Sequence, residues 1–212
     1  MSYLLHESLY RSPAVMERLR GFSVTVCGAG ALGANVAESL ARSGVGRLRL
    51  VDRDRVEEQN LSTQPYHLAD VGAQKAKILA GILYRAVGAE ADARAVELTA
   101  ANASSLLDGS DLVLDTFDNS VARGAVRDAC LRDSLPCLHA GLSADYAEVI
   151  WNERYRVPSA ARDDVCDYPL ARNLALLCAS LASELALRFA AAGERRSLTL
   201  TLEDLAVRPF EG

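Results

Sequence analysis

Three closely spaced glycines give this sequence a means of binding phosphate groups. Gly28, Gly30 and Gly33 form a G-x-G-x-x-G pattern between a predicted strand, residues 22–27, and a predicted helix, residues 31–43. Glycines at this spacing allow a tight turn and let the backbone approach a phosphate closely. The N-terminus of the following helix then favours the negative charge of the phosphate. The pattern therefore predicts a nucleotide site at the end of the first strand.

Asp52 extends this prediction to the sugar of the nucleotide. It follows the second predicted strand, about 20 residues beyond the glycines, where an acidic side chain can accept a hydrogen bond from a ribose hydroxyl. Taken alone, the glycines and Asp52 favour an NAD-dependent oxidoreductase, and they leave open a turn with a purely structural role. Residues farther along the chain bear on this choice.

Several short motifs follow in a definite order. They are Asp52-Arg53-Asp54-Arg55-Val56, Asn60-Leu61, Gly72-Ala73-Gln74-Lys75-Ala76 and Asp115-Thr116-Phe117-Asp118-Asn119 with Arg123, flanked by Ser43-Gly44-Val45-Gly46 and His139-Ala140-Gly141. In this order the motifs resemble those of the ThiF/MoeB/HesA activating enzymes, and a dehydrogenase has no reason to carry the set. The resemblance runs from about residue 19 to about residue 151, with weaker similarity over residues 166–169.

The resemblance implies ATP-dependent adenylation of the C-terminal carboxylate of a small ubiquitin-like or sulfur-carrier protein that ends in glycine. Negative charge gathers around the α-phosphate in such a reaction, so catalysis depends on positioning and electrostatic neutralisation. In the matching positions, Lys75 supplies a fixed positive charge, Asp118 holds the Mg²⁺ that accompanies ATP, and Asn60 hydrogen-bonds the nucleotide. The glycine turn and Asp52 complete the implied ATP site.

Each of these residues also has a structural interpretation. Lys75 can be a solvated lysine in the first turn of a helix, Asp118 an acid that caps the helix after it, and Asn60 a turn former. Arg123 follows Asp118 by about one and a half helical turns, so it can pair with Asp118 or contact the substrate. His139 ends a predicted strand, where a hydrogen-bonded structural histidine is expected. The joint order of the motifs favours function over these alternatives.

The chain departs from the family pattern at a phosphate-binding arginine. Family members have Asn-Leu-x-Arg-Gln where this chain has Asn60-Leu61-Ser62-Thr63-Gln64, so Thr63 replaces the arginine. The replacement leaves open a catalytically silent subunit that scaffolds an active partner. In an active site, another cation should approach the phosphates. The resemblance implies a homodimer in which Arg11 of one subunit reaches the other's nucleotide, with Arg53 and Arg55 as same-chain substitutes.

The cysteines comprise one candidate nucleophile and four expected packing residues. Cys166 lies where the family often has a cysteine that accepts the activated carrier, although Asp164 and Asp167 beside it disfavour its thiolate. An inert loop cysteine is the alternative. Core packing is expected for Cys27, Cys130, Cys137 and Cys178. The chain lacks the C-x-x-C pairs that hold zinc in many family members, so no zinc site is predicted.

Composition and charge limit the classes of partner. The 212 residues carry 23 Lys and Arg against 28 Asp and Glu, and the basic residues are scattered. Nucleic-acid binding needs a basic stripe, so the expected partner is a protein or a small molecule. The missing export signal and five unpaired-looking cysteines predict a cytoplasmic protein. Charged residues interrupt the apolar stretch 170–192, which predicts a buried helix and no membrane span.

Alternating strands and helices must position these residues. Strands are predicted at residues 22–27, 47–51, 93–98, 111–115, 136–140, 146–151 and 197–202, with an antiparallel option for 146–151. Helices are predicted at residues 13–20, 31–43, 74–87 and 119–134, followed by a candidate active-site loop at 155–168 and a long helix. A turn of helix is also expected between the third and fourth strands.

The alternation predicts a doubly wound, Rossmann-like α/β fold, because parallel neighbouring strands need a crossover and helices supply it. The sheet should be mostly parallel and covered on both faces. The length favours a single domain over residues 1–212. Its core is expected at about residues 19–151, and the active-site loop and C-terminal helix and strand at 152–212.

Overall fold

Strands and helices alternate through the chain as the sequence predicts. The computed structural model describes residues 3–159 and 170–211. Its helices are α1 (Leu5–Arg11), α2 (Pro13–Gly21), α3 (Gly33–Arg42), α4 (Lys75–Val87), α5 (Ala103–Leu107), α6 (Ser120–Arg132) and α7 (Arg172–Ala192). Its strands are β1 (Ser23–Cys27), β2 (Arg47–Val51), β3 (Ala91–Arg94), β4 (Leu112–Asp115), β5 (Cys137–Ser143), β6 (Tyr146–Trp151), β7 (Leu198–Thr201) and β8 (Val207–Pro209). Two short 3-10 helices, Glu58–Ser62 and Leu68–Asp70, lie between β2 and α4.

The eight strands form one sheet in the order β3-β2-β1-β4-β5-β6-β7-β8. The strands from β3 to β5 are parallel, and β6, β7 and β8 extend the sheet with antiparallel pairings. The chain first adds β2 and β3 on one side of β1, and then adds β4 and the later strands on the other side. The winding direction therefore reverses between β1 and β4. This confirms the doubly wound α/β fold. Open sheets of this kind bind ligands beyond the carboxyl ends of the strands at such a reversal.

Helices cover both faces of the sheet, so a hydrophobic core lies on each face. The side chains of β1 alternate between these two cores. Val24 and Val26 point into the larger core, which includes side chains from α2, α3, α4 and α7. Cys27 points the other way, into a smaller core with α5 and α6. Thr25 shares that second face, where its hydroxyl lies 2.7 Å from the hydroxyl of Ser110. A strand buried on both faces is typical of a parallel sheet between helix layers.

The carboxyl ends of three central strands are in register. Cys27 of β1 is the Cα partner of both Val51 of β2 and Asp115 of β4. The segments that begin at Gly28 and Asp52 therefore leave the sheet at the same edge. The loop after β4 leaves beside them. This edge is called the carboxyl edge below.

Most predicted elements are confirmed, with shifts of a few residues at their ends. Arg47–Val51 and Tyr146–Trp151 match their predictions, and the latter is antiparallel. The strand predicted at residues 93–98 is present but lies earlier, at Ala91–Arg94, because it pairs with residues 48–51 of β2. Helix α1 and strand β8 were not predicted. The candidate loop at 155–168 lies mostly outside the described residues.

Helix α7 is the long apolar helix that was expected to be buried. Among the described residues it alone is long and apolar enough to cross a membrane, with a mean hydropathy of 1.6 in its most apolar window. Half of that window, 50 %, is buried inside the fold. Its buried side chains belong to the larger core, and the helix packs on α3, β5 and β6. These contacts are those of a core helix.

Candidate active site

The turn after β1 has the conformation that its glycines predict. Gly28 has a φ of +98°, in the left-handed region, and a Cβ on Gly33 would lie 1.9 Å from the Gly28 carbonyl oxygen. Gly30 differs, because a Cβ there would meet no atom of the described chain within 4 Å. Gly28 and Gly33 therefore shape the turn. Gly30 leaves open space beside the backbone, where a phosphate can approach.

Asp52 and Tyr66 hold the second residue of this turn from two sides. The N–H of Ala29 donates to Asp52 Oδ2 at 2.6 Å, and the Tyr66 hydroxyl donates to the Ala29 carbonyl oxygen at 2.7 Å. Asp52 Oδ1 accepts from the N–H of Asp54 at 2.6 Å. Burial raises the pKa of Asp52 and that of Tyr66. Asp52 thus supports the turn itself. Its contact with a ribose stays a prediction. The part that Tyr66 plays in the turn was not predicted from the sequence.

Lys75 begins α4 beside the loop that follows β2. Its N–H donates to the Asp54 carbonyl oxygen at 2.9 Å, and its Nζ lies 3.7 Å from Asp54 Oδ2. Further backbone bonds join Val56 to Gly72 and Ala73 and close the loop against the start of the helix. Lys75 is only 8 % exposed, so the interpretation as a solvated lysine is wrong. Its charge is held in place, as a phosphate-binding lysine requires.

The segment that contains Asn60 and Thr63 is tied to the first turn of α3. Asn60 Oδ1 accepts from the N–H of Glu57 at 2.9 Å, which confirms its role as a turn former. The Thr63 carbonyl oxygen accepts from Asn35 Nδ2 at 3.2 Å, and the same nitrogen donates to the Ala31 carbonyl oxygen at 2.7 Å. The segment therefore lies next to the glycine turn. A nucleotide contact by Asn60 stays a prediction.

Asp118 follows β4 and exposes its carboxylate at the carboxyl edge. The interpretation of Asp118 as a helix cap is wrong, because Asn119 Oδ1 accepts from the N–H of Ala122 at 2.9 Å and caps α6. The described residues contain no group of three His, Cys, Asp or Glu side chains suited to a metal. Mg²⁺ on ATP needs only one or two carboxylates beside phosphates and waters, so Asp118 fits the predicted role.

A buried ionic network lies behind Asp118. Asp115 Oδ2 is 2.7 Å from His139 Nδ1 and 3.7 Å from Arg123 Nη1. Arg123 also donates to the Ala140 carbonyl oxygen at 2.8 Å and to the Tyr155 hydroxyl at 2.9 Å. The pairing of Arg123 with Asp118 is therefore wrong. Burial pushes the pKa of Asp115 up, but the charge of Arg123 and the hydrogen bond from His139 outweigh it and hold that pKa below its usual range.

His139 is oriented through both ring nitrogens. Its Nε2 lies 2.6 Å from Asn152 Oδ1, and the Asn152 amide nitrogen donates to the Arg127 carbonyl oxygen at 3.3 Å, which sets the amide orientation. Asp115 Oδ2 faces the other ring nitrogen, Nδ1, so contacts on both sides fix the orientation of the ring. The Tyr155 ring stacks on His139 with centroids 3.7 Å apart. The expected structural role of His139 is confirmed.

Arg11 forms ion pairs within its own chain. It lies 2.6 Å from Glu7 and 2.7 Å from Glu184, which places α1 against α7. The two carboxylates raise the pKa of its guanidinium against the opposing effect of burial. To reach the phosphates of a partner subunit, Arg11 would have to leave both carboxylates. Its contact across a dimer stays a prediction.

The two same-chain substitutes for Arg11 have other partners. Arg53 lies 2.6 Å from Glu97, in the segment after β3. Arg55 donates to the Gly72 carbonyl oxygen at 2.6 Å and so helps to close the loop after β2. Both arginines therefore stabilise the loop between β2 and α4.

Arg172 lies near the site but was not predicted from the sequence. It is exposed in the first turn of α7, and its Nη1 donates to the Ser62 carbonyl oxygen at 3.2 Å. Ser62 directly precedes Thr63, the position at which the family arginine is replaced. The sequence carries no motif around Arg172 that marks it for this place. Only the packing of α7 beside α3 brings it there.

The described cysteines have the packing role that was expected of them. Cys27, Cys130, Cys137 and Cys178 are free and buried. Burial raises the pKa of the Cys178 thiol to about 12 and that of Cys27 and Cys137 well above the usual value. Cys166 lies outside the described residues. Its covalent role stays a prediction.

Comparison with known families agrees with this site. The ThiF family matches residues 6–184, which is most of the chain. The chain belongs to the ThiF family. The resemblance drawn from the ordered motifs is therefore confirmed, and the ThiF match includes the glycine turn, Lys75, Asp118 and the buried network. The interpretation of the glycines as an NAD site of a dehydrogenase loses its support.

Relatives of this ThiF-family chain carry names of activating enzymes. It is 36 % identical over 133 residues to the SAMP-activating enzyme E1 of Haloferax volcanii, covering 61 % of this chain and 49 % of that protein. It is 42 % identical over 122 residues to the sulfur carrier protein adenylyltransferase of Thermus thermophilus, covering 56 % and 45 %. It is 34 % identical over 190 residues to the probable adenylyltransferase/sulfurtransferase MoeZ of Mycobacterium tuberculosis, covering 79 % and 46 %. The chain spans about half the length of the curated relatives it matches.

Solved structures share the fold. The crystal structure of E. coli MccB with ATP superimposes with a TM-score of 0.78 at 20 % identity, covering 97 % of this chain and 69 % of that one. The crystal structure of PaaA has a TM-score of 0.73 at 21 % identity, covering 98 % and 71 %. At these identities the likeness concerns the architecture alone. It agrees with the doubly wound sheet and its antiparallel extension.

Proposed function

We propose that the chain catalyses the ATP-dependent adenylation of the C-terminal carboxylate of a small ubiquitin-like or sulfur-carrier protein. One observation carries the proposal. In a ThiF-family chain, the open backbone at Gly30, the fixed charge of Lys75 and the exposed carboxylate of Asp118 lie at one edge of the sheet. The SAMP-activating enzyme and the sulfur carrier protein adenylyltransferase support the substrate class. MccB with ATP supports the nucleotide.

The reaction joins the carrier carboxylate to the α-phosphate of ATP. A carboxylate oxygen attacks the α-phosphorus, a new O–P bond forms, and the bond from that phosphorus to the bridging oxygen breaks, so that pyrophosphate leaves with its electron pair. The products are an acyl-adenylate and pyrophosphate. Lys75 lowers the energy of the crowded anionic centre, and the N–H groups at Gly30 and the start of α3 bind phosphate oxygens. Asp52 holds the ribose and Asn60 the nucleotide.

Asp118 holds the Mg²⁺ that accompanies ATP. Its exposed carboxylate is a hard oxygen ligand of the kind that Mg²⁺ prefers. When bound, the ion neutralises phosphate charge. Asp118 supplies the protein ligand, and the Asp115 network fixes the start of α6 directly after it.

We further propose an oligomeric state and a cellular location for the chain. The chain acts as a single domain, residues 1–212, in a cytoplasmic homodimer, with Arg11 of one subunit reaching the nucleotide of the other. Cys166 is the candidate acceptor of the activated carrier. The carrier is a protein that ends in glycine, and neither nucleic acid nor a membrane takes part. The net charge of -5 and the apolar helix packed in the core support these two exclusions.

Two measurements test the activity. Calorimetry should show binding of ATP with Mg²⁺ at concentrations at which NAD does not bind. Purified chain with a small carrier ending in Gly-Gly should exchange labelled pyrophosphate into ATP, and the carrier without its last glycine should not support exchange. Tight NAD binding without ATP binding would refute the proposal. ATP binding without exchange, for every carrier encoded beside the gene, would instead indicate a silent scaffold subunit.

A further inference from the structure

The carboxyl edge carries more acid than base, although a nucleotide would add several negative charges. Asp52, Asp54 and Asp118 all lie there. Lys75 is the basic side chain assigned to the nucleotide, and its Nζ already lies 3.7 Å from Asp54 Oδ2. Arg53 and Arg55 bond elsewhere. Arg11, proposed to reach the nucleotide from the partner subunit, pairs with two carboxylates of its own chain and contributes no cation within one subunit. A triphosphate at this edge therefore needs a further cation.

Two sets of hydrogen bonds, joined through the Ser62–Thr63 backbone, connect the glycine turn to Arg172. The Ala31 carbonyl oxygen, in the turn, accepts from Asn35 of α3, and Asn35 also binds the Thr63 carbonyl oxygen. Ser62, one residue before, accepts from Arg172 Nη1. The guanidinium is exposed and has five N–H donors, of which one is used in the hydrogen bonds among residues 3–159 and 170–211. A long flexible side chain at this point can turn from Ser62 to a phosphate.

The placement of α7 strengthens this assignment. Leu170, just before the helix, bridges to Ala144, just after β5, so α7 begins at the carboxyl edge. The far end of the helix lies at α2, where Arg18 donates to the Ala191 carbonyl oxygen at 2.5 Å. The side-by-side helices α3 and α7 therefore begin at the same edge. An anionic ligand bound at this edge would then lie near the positive ends of two helix dipoles and near the Arg172 guanidinium.

We propose that Arg172 is a phosphate-binding residue of the nucleotide site, which binds the β- and γ-phosphates of ATP from within the same chain. The assignment rests on the proposed function and adds a residue to it. It also accounts for Thr63, since a cation held at the neighbouring carbonyl can replace the arginine that the family places in this segment. Arginine suits the role because its planar fork can bind two phosphate oxygens at once.

Nucleotide titrations of the full chain test the assignment. Arg172→Ala should weaken the binding of ATP by about tenfold to a hundredfold, the effect of losing a hydrogen bond to a charged group. The binding of AMP, which lacks the two outer phosphates, should change by less than about twofold. Arg172→Lys should fall between Arg172→Ala and the wild type for ATP, because lysine keeps the charge but not the fork.

Arg42→Ala is the matched control. Arg42 is also an exposed arginine beside the cleft between α3 and α7, but it pairs with Glu38 at 2.8 Å on α3. This variant should bind ATP as the wild type does. Wild-type ATP affinity in Arg172→Ala, or equal losses for ATP and AMP, would overturn the assignment and leave the proposed function intact. A wild-type chain that binds no ATP would overturn both together.

Discussion

The two sides of the proposed nucleotide site are stabilised by different interactions. On the side of β1 and β2, Asp52 and Tyr66 hold the glycine turn through hydrogen bonds to the N–H and the carbonyl oxygen of Ala29. On the side of β4 and β5, Asp115 and Arg123 form an ion pair that is shielded from water, and His139 hydrogen-bonds the same carboxylate. The Tyr66 hydrogen bond joins two neutral groups and its loss costs little, whereas a buried charge without its partner costs much more. Removal of the Tyr66 hydroxyl should therefore be tolerated far better than removal of a charge from the second side.

The largest expected effect is on the buried network. Asp115→Asn should lower the free energy of unfolding by about 3–5 kcal/mol at pH 7, because it leaves Arg123 buried without its counter-charge. Urea denaturation followed by circular dichroism measures this. Asp118→Asn, an exposed neighbour, is the control and should change stability by less than about 0.5 kcal/mol. Similar stabilities for the two variants would remove the contrast between the two sides.

The pH dependence of the Asp115 effect follows from its lowered pKa. A carboxyl whose pKa is lower in the folded state contributes stability that is fully present above its unfolded pKa, about 3.9, and is lost as the pH falls through the folded pKa. The gap between the wild type and Asp115→Asn should therefore be full at neutral pH and narrow in acid. A gap that widens below about pH 4 would contradict the ionic interpretation.

Substitutions of the two charged site residues should affect activity instead of stability. Lys75→Met and Asp118→Asn should each reduce carrier-dependent pyrophosphate exchange by at least about a hundredfold, because each removes a charge that neutralises or orients the triphosphate. Methionine keeps the buried stem of Lys75. Lys77→Met, on the exposed side of the same helix, is the control and should retain the exchange rate. Normal exchange in Lys75→Met would mean that its predicted role is wrong.

The two glycines Gly33 and Gly30 should affect different properties, the first the stability of the fold and the second the binding of ATP. Gly33→Ala should destabilise the fold by about 1–3 kcal/mol, because its Cβ would lie 1.9 Å from a carbonyl oxygen. Gly30→Ala should leave thermal unfolding nearly unchanged but weaken ATP binding, since its Cβ enters open space. Thermal unfolding and calorimetry on both variants measure the pair. Strong ATP binding by Gly30→Ala would place the phosphates elsewhere.

Tyr66→Phe should have the smallest effect. It removes the hydrogen bond to the Ala29 carbonyl oxygen and should cost about 0.5–1.5 kcal/mol of stability, while exchange activity persists. Tyr84→Phe, at a tyrosine that is 61 % exposed, should cost nothing measurable. A loss in Tyr66→Phe as large as that in Asp115→Asn would show that both sides of the site depend equally on their polar contacts.

Local patterns predicted the elements of the fold and failed where pairing partners decide. The alternation of strands and helices gave the doubly wound sheet, since each element carries its own periodicity. The edge strand was placed too late in the chain, because its limits depend on where β2 ends. Helix α1 and strand β8 escaped prediction because they are short and mostly exposed. Neither element has a buried face, so neither sequence shows a periodic pattern of apolar residues.

The sequence by itself determined the glycine turn, the acid after β2, and the candidate roles of Lys75 and Asp118. The turn and the acid follow from residue types at short spacing, and the roles of Lys75 and Asp118 are implied by the family resemblance of the ordered motifs. The tertiary structure alone decided that Arg123 pairs with Asp115 instead of Asp118, and that Arg172 lies at Ser62 across 110 residues of chain. Such contacts join distant segments. They depend on how helices pack on the sheet, and no motif within either segment records them.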